Sequence, residues 1–359
     1  MTTPRSALVF GASGFIGRWL VRELLLKGVS VVAAVRSASS HAHLASWLAA
    51  HGTGEEAGSL LVDFDDEDLG LDPSEHPLNG VTEVYNVAGA FLFGMTAEQA
   101  RVANVVSSER IVTLASKLPS LTRLVHLSGY RVGGQDPAEV PWSAERVRSE
   151  YSRLGAYEAS KAESDAVVQA TASTLGVPWS IVNPATVIGD SATGESEQLL
   201  GLATTVRDLW NGTLPALPGG QDTFVPVVTV DYLASFMALV PTAPETEGKS
   251  YWPLDDSTPA LPELLTRLAE HLGVRTPRFR IPVRLLRALP QRITKAHPET
   301  LSFLSSERYP TASATLFAEG NGLRHPDVRV SITRWADYLV AHHFDRARPL
   351  SVAPASIGS

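Results

Sequence analysis

Tyr157 and Lys161 are the residues best placed to do chemistry. The run Tyr157-Glu-Ala-Ser-Lys161 opens a predicted helix, so a phenol and an ammonium lie one turn apart on one face. A phenol with an ordinary pKa of about 10 is a poor acid or base at neutral pH, but a nearby ammonium favours the phenolate and lowers that value. Tyr157 can then protonate a carbonyl oxygen as hydride arrives. Such a pair arises by chance in many helices, and a second motif upstream makes it specific. In Ala7-Leu-Val-Phe-Gly11-Ala-Ser13-Gly14-Phe15-Ile16-Gly17 a glycine-rich turn joins a buried strand to an amphipathic helix. Gly11 permits the tight turn, Gly14 lets the backbone approach a pyrophosphate, and Gly17 lets the helix pack on the strand. Ser13 adds a donor, and the amides at Phe15 and Ile16 belong to the positive helix end that a diphosphate needs.

A dinucleotide is therefore the expected cofactor, and its type is written at the end of the second strand. An NAD(H) site usually places Asp or Glu there for the ribose hydroxyls. Here stand Arg36 and Ser37. Arg36 can stack on adenine and pair with a 2'-phosphate to which Ser37 donates, which favours NADP(H) over NAD(H). The competing reading of Arg36 is a solvated surface arginine. Asp63, with Phe64 beside it, follows the third strand and could accept from the adenine amino group or simply cap its loop.

Taken together, these residues resemble the extended short-chain dehydrogenase/reductases. The resemblance runs from about Leu8 to Leu239 and includes Gly11, Gly14, Gly17, Val87-Ala88-Gly89, Asn104, Tyr157, Lys161 and Asn183-Pro184-Ala185-Thr186-Val187-Ile188-Gly189. It implies that Tyr157 is the general acid/base, that Lys161 also holds the nicotinamide ribose, and that Asn104 supports a proton-relay water. It further implies that Val87, Ala88 and Gly89 border the cofactor and that Asn183, Pro184, Ala185 and Val187 line the nicotinamide. Val35-Arg-Ser-Ala-Ser-Ser and Ile188-Gly-Asp-Ser-Ala-Thr-Gly-Glu resemble the branch of thioester reductases and fatty acyl reductases. One position departs from the family. Where a catalytic Ser or Thr normally follows the fifth strand, the sequence Val125-His-Leu-Ser128-Gly129-Tyr130 aligns Gly129, with Ser128 one residue earlier. Ser128 or Tyr130 could serve instead, or the substrate oxygen has one donor fewer, a loss of about 3 kcal/mol.

The elements that must position these groups follow a βαβ rhythm. Strands are expected at Ala7–Phe10, Ser30–Val35, Ser59–Val62, Glu83–Val87, Arg123–Ser128 and Trp179–Asn183. Helices are expected at Phe15–Lys27, Ala42–Ala50, Ala97–Lys117 and Ala156–Leu175. The fold class is α/β, a Rossmann doubly wound parallel sheet with a smaller C-terminal substrate-binding lobe. Residues 1–184 form the cofactor-binding core, completed at the sheet edge by 224–240. Residues 185–345 are mostly the lobe, with helices near Leu199–Trp210, Val230–Leu239, Leu261–Leu272 and Val283–Leu289. Residues 346–359, rich in small residues and Pro, read as a flexible tail.

Composition excludes much else. The 359 residues are 44% hydrophobic and 19% charged, and they contain no cysteine, so disulfides and thiolate chemistry are ruled out. The absence of a signal pattern at Met1–Ser6 points to a cytoplasmic protein, and Arg22, Glu23, Lys27 and Arg36 interrupt the richest apolar region, so no membrane span is expected. A net charge of -8 without a basic block argues against nucleic acid. The histidines show no converging spacing, so no metal is assigned, and no Gly-x-Ser-x-Gly elbow supports a hydrolase. The function expected is NADPH-dependent reduction of a carbonyl or acyl-thioester group on a fairly apolar small molecule. A nucleotide-sugar epimerase or dehydratase that retains NAD, and a non-catalytic NADP(H) sensor, stay open, as does a homodimeric state.

Overall fold

The structure is a computed structural model that describes residues 4–90, 94–197, 199, 201–289 and 298–344. Seven parallel strands form the central sheet in the order β10-β6-β5-β4-β1-β2-β3. These are β1 (Ser6–Phe10), β2 (Ser30–Val35), β3 (Gly58–Leu61), β4 (Glu83–Asn86), β5 (Arg123–Leu127), β6 (Trp179–Val182) and β10 (Lys249–Tyr251). Every residue of β4 and β5 is buried, as expected of strands covered on both faces. Strand order reverses beside β1, so a crevice opens between the carboxyl ends of β1 and β4, where open α/β sheets bind ligands.

Helices α1 (Phe15–Leu26), α2 (Ala38–Ala50) and α8 (Val230–Leu239) cover one face, packing Leu20, Leu24, Leu233 and Phe236 against Val9 and Ala33. On the other face, α4 (Ser107–Ser116) and α6 (Ala156–Leu175) bury Ile111, Leu114 and Val168 against Leu8 and Val84. Ahead of α4 runs α3 (Ala97–Ala100), and between them the helix widens into a π turn over Arg101–Val106. Helix α5 (Ala144–Leu154), capped by Ser143, was not expected from the sequence, because its exposed positions are charged and only Tyr151 is buried.

The lobe holds its own core, in which Ile188 of β7 (Thr186–Ile188), Leu202 and Val206 of α7 (Leu202–Trp210), Leu217 of β8 (Leu217–Pro218), Leu265 of α9 (Leu261–His271) and Trp335 of the last helix, Val328–Ala341, pack together. The sheet-completing role expected of 224–240 is corrected. Within it, β9 (Val227–Thr229) pairs with β7 in a separate two-stranded sheet, whereas β10 pairs with β6 and closes the edge. The short run Lys249-Ser-Tyr251 gives no periodic signal, so sequence reading passes over it. The lobe is also discontinuous: α8, β10 and Phe317 of the helix Ala312–Gly320 belong to the Rossmann layers. Among the described residues no helix is long and apolar enough to cross a membrane, and no group of His, Asp or Glu could hold a metal ion. The expected tail, 346–359, lies outside the described residues.

Candidate active site

The glycine turn sits in the crevice with tolerances that only glycine meets. A Cβ on Gly11, whose φ is +79°, would stand 2.7 Å from the backbone of Val87 and Ala88, and one on Gly17 would stand 2.0 Å from the Gly11 carbonyl oxygen. The Gly14 amide donates to that oxygen at 3.0 Å. Gly14 begins α1 without a side-chain cap, and no acidic residue lies in the first turn, so the helix presents unneutralised amides at Phe15 and Ile16 beside Ser13. The chemistry of this donor set suits a pyrophosphate.

Outward from the turn the groups become polar and exposed. Arg36 is exposed and forms no ion pair with a described acidic side chain. Ser37 caps α2, accepting from the Ser40 amide at 3.2 Å. Asp63 is exposed and caps its own turn through the Asp65 amide at 2.9 Å, the local role weighed against adenine binding. Phe64 meets Phe10 edge-on, with ring centroids 6.4 Å apart.

Inward, buried and half-buried side chains converge. Asn104 lies in the π turn, accepts from the Ala90 amide at 2.8 Å and donates to Ser160 Oγ at 2.9 Å. Lys161 Nζ donates to the Leu127 carbonyl at 3.3 Å. A Cβ built on Gly89 would lie 3.1 Å from Asn104 Oδ1 and 3.2 Å from Lys161 Nζ, so both groups meet at the end of β4. Burial weakens the Lys161 ammonium, to about 8, although Asp165 opposes the change. Burial, then the Glu158 carboxylate, raises the Tyr157 phenol above its usual value. That is opposite to the direction expected from Lys161, because burial and the Glu158 carboxylate both disfavour the phenolate in the protein by itself.

The last expected residues lie where β6 leaves the sheet. Asn183 is wholly buried, its amide nitrogen and oxygen have no partner among the described atoms, and Gly133 packs so tightly on it that a Cβ there would fall 2.3 Å from Oδ1. Pro184 and Ala185 are buried, and Val187 is half-buried in β7. Ser128 also turns inward: its hydroxyl is buried and faces Asp165 without a well-formed hydrogen bond. Gly129 is half-exposed, and a Cβ there would meet only Val132 Cγ2, at 3.4 Å.

Sequence reading missed Asp165. Tyr157, Lys161 and Asp165 repeat every fourth residue along α6, a spacing that signals a shared stripe. Asp165 is fully buried, accepts from Gln169 Nε2 at 2.8 Å and the Gln135 amide at 3.4 Å, and is pushed up to about 7 by burial. It fastens the segment after β5 to the helix that carries Tyr157.

Comparison with known proteins gives the chain a family and a fold. The family model for the male sterility protein matches residues 9–237. Among curated proteins, sterol demethylase protein B of Methylococcus capsulatus (strain ATCC 33009 / NCIMB 11132 / Bath) is 28% identical over 293 residues, spanning 79% of this chain and 80% of that protein. The dTDP-6-deoxy-L-talose 4-dehydrogenase of Kitasatospora kifunensis is 30% identical over 136 residues, which span 38% of this chain and only 39% of that enzyme. Among solved structures, the terminal R domain from the myxalamid PKS-NRPS biosynthetic pathway superposes with a TM-score of 0.76 at 20% identity, covering 97% of this chain and 94% of that one. A thiolation-reductase di-domain from an archaeal non-ribosomal peptide synthetase gives 0.72 at 14% identity, covering 95% and 76%. The family match bears out the resemblance to extended short-chain dehydrogenase/reductases, and the strand order and the structural neighbours bear out the α/β Rossmann fold.

Proposed function

The chain belongs to the male sterility protein family, and from that premise we propose that it is an NADPH-dependent reductase of a carbonyl or acyl-thioester group on a small, fairly apolar substrate. The observation that carries this reading is the meeting of Asn104 Oδ1 and Lys161 Nζ within 3.2 Å of one point beside Gly89, at the mouth of the crevice that holds the glycine turn. Gly11, Ser13, Gly14, Phe15, Ile16 and Gly17 would hold the pyrophosphate, Val87–Gly89 and Asn183–Val187 the nicotinamide end, and Arg36 with Ser37 a 2'-phosphate. Bound there, NADPH supplies the hydride.

The chain's own groups manage the proton and the position. Tyr157 Oη gives its proton to the substrate oxygen, and Lys161, charged below about 8, favours the phenolate that results. Asn104 fixes the Ala90 backbone and, through Ser160, the first turn of α6. The second hydroxyl donor of the family falls at Gly129, which has none.

The test compares NADPH and NADH binding by wild type and Arg36→Ala, followed by NADPH consumption against a panel of aldehydes, ketones and acyl-thioesters. Arg36→Ala weakens NADPH by about 10–100-fold and NADH by less than about 3-fold, the loss of one charge-assisted contact. Failure of the wild type to bind either nucleotide at millimolar levels, or full activity of Tyr157→Phe, overturns the reading.

A further inference from the structure

Glu158 follows Tyr157 directly and is only 4% exposed. Its Oε1 accepts from Arg131 Nε at 2.5 Å, and its Oε2 accepts from Ser302 Oγ at 2.8 Å. Arg131 stands in the turn after β5, where its guanidinium also donates to Ser305 Oγ at 3.3 Å, approaches Glu307 at 3.5 Å and lies 5.8 Å from the centre of the Phe303 ring. On the other side of Tyr157, Gly155 has a φ of +86°, and a Cβ there would fall 2.4 Å from Glu299 Oε1. Three segments therefore meet at the residues flanking Tyr157: the start of α6, the turn after β5, and the stretch 298–307 of the lobe. A buried carboxylate next to a phenol opposes its ionisation, and a bound guanidinium cancels most of that field.

We propose that Arg131 and Glu158 are positioning residues for Tyr157: the ion pair joins the lobe to the catalytic helix and sets how readily the phenol releases its proton. The inference rests on the reading of Tyr157 as the proton donor. The charged groups on the elements that meet here are Lys161 and Glu158 on α6, Arg131 from the turn, and Glu299 and Glu307 from the lobe, and Glu158 acts on the phenol directly. Burial and Glu158 together raise the phenol, and Glu158 holds Arg131 firmly charged despite its burial. The two halves of the pair thus pull in opposite directions. Removing the carboxylate leaves a cation near Tyr157 and favours the phenolate; removing the guanidinium leaves a buried anion and disfavours it.

The experiment is an alkaline titration of tyrosinate absorbance in the intact protein with saturating NADP+. Tyr157 is isolated by subtracting the Tyr157→Phe counterpart of each protein. Glu158→Gln begins to ionise about one pH unit or more below wild type, and Arg131→Met begins above it. Arg131→Lys, which keeps the charge but loses the fork, falls between wild type and Arg131→Met. A purely structural role moves both halves of the pair the same way or leaves them coincident. Coincident onsets, the reverse order, or a Glu158→Gln onset at or above wild type overturns the proposal. Should Arg131→Met fail to fold, Glu158→Gln against wild type still decides. No substrate is consumed, so the result stands apart from the activity of Tyr157→Phe, which judges the functional reading itself.

Discussion

The two ends of the crevice proposed to hold the cofactor, its phosphate end and its nicotinamide end, are built from different materials. At the phosphate end the protein offers backbone: glycines on which a Cβ would fall 2.0–2.7 Å from main-chain atoms, helix amides and one exposed arginine. At the nicotinamide end it offers side chains: buried Asn104 and Asp165 and half-buried Lys161, each hydrogen-bonded, and buried Asn183, with Lys161 and Asp165 shifted in their proton affinity. Backbone sites take no charge from pH and fail when volume is added. Side-chain sites tolerate volume better and change with protonation.

Variants at each end sharpen this contrast. The largest effect is expected from Gly17→Val, whose Cβ would overlap the Gly11 carbonyl. Nucleotide affinity falls by more than about 100-fold and the melting temperature drops, as a titration and a thermal melt will report. Next, Tyr157→Phe lowers kcat by about 10²–10⁴ while NADPH affinity stays within about 3-fold, and a substantial loss of NADPH binding would place the phenol in the wrong end of the comparison.

Asp165 comes third. Its acid group is raised from the usual 3.8 to about 7, so the folded chain holds this proton where the unfolded chain has lost it. The resulting stability is complete below the unfolded value and declines as pH rises towards 7, by at most about 4 kcal/mol. Asp165→Asn abolishes that decline: its stability relative to wild type, measured in urea, grows from pH 4 to pH 8. A constant difference across this range would show that the carboxyl is not proton-bound. The smallest effect belongs to Ser37→Ala, where loss of the α2 cap costs about 1 kcal/mol at any pH. If NADPH affinity falls with it while NADH affinity does not, Ser37 serves the 2'-phosphate as well as the helix.

The same contrast governs what the sequence could reveal. The phosphate end was legible because a glycine forced by its backbone leaves a fixed spacing, Gly11, Gly14, Gly17, between a strand and a helix. Helix α6 was placed to the residue, Ala156–Leu175, because its apolar spacing ends in Gly176, which adopts the left-handed cap expected of it. The nicotinamide end was legible only where residues are close in sequence. Arg131 and Glu158 are separated by 27 positions and Glu158 and Ser302 by 144, so nothing local announces their pairing. The edge strand β10 escaped for a related reason: three residues bonded to β6 carry no period. The direction of the Tyr157 shift was missed because neighbouring charge can be read from spacing, whereas burial cannot.

The placement of α8 and β10 within the Rossmann layers has a practical consequence for anyone wishing to exchange substrate preference between relatives. A graft junction cut at residue 184 would strip the first helix of the partner that covers Leu20 and Leu24 and leave β6 as a raw sheet edge. A workable chimera has to retain 224–251 and the helix Ala312–Gly320 with the nucleotide half and swap only the pieces between and beyond them, so that five splices, not one, separate what the protein binds from what it does.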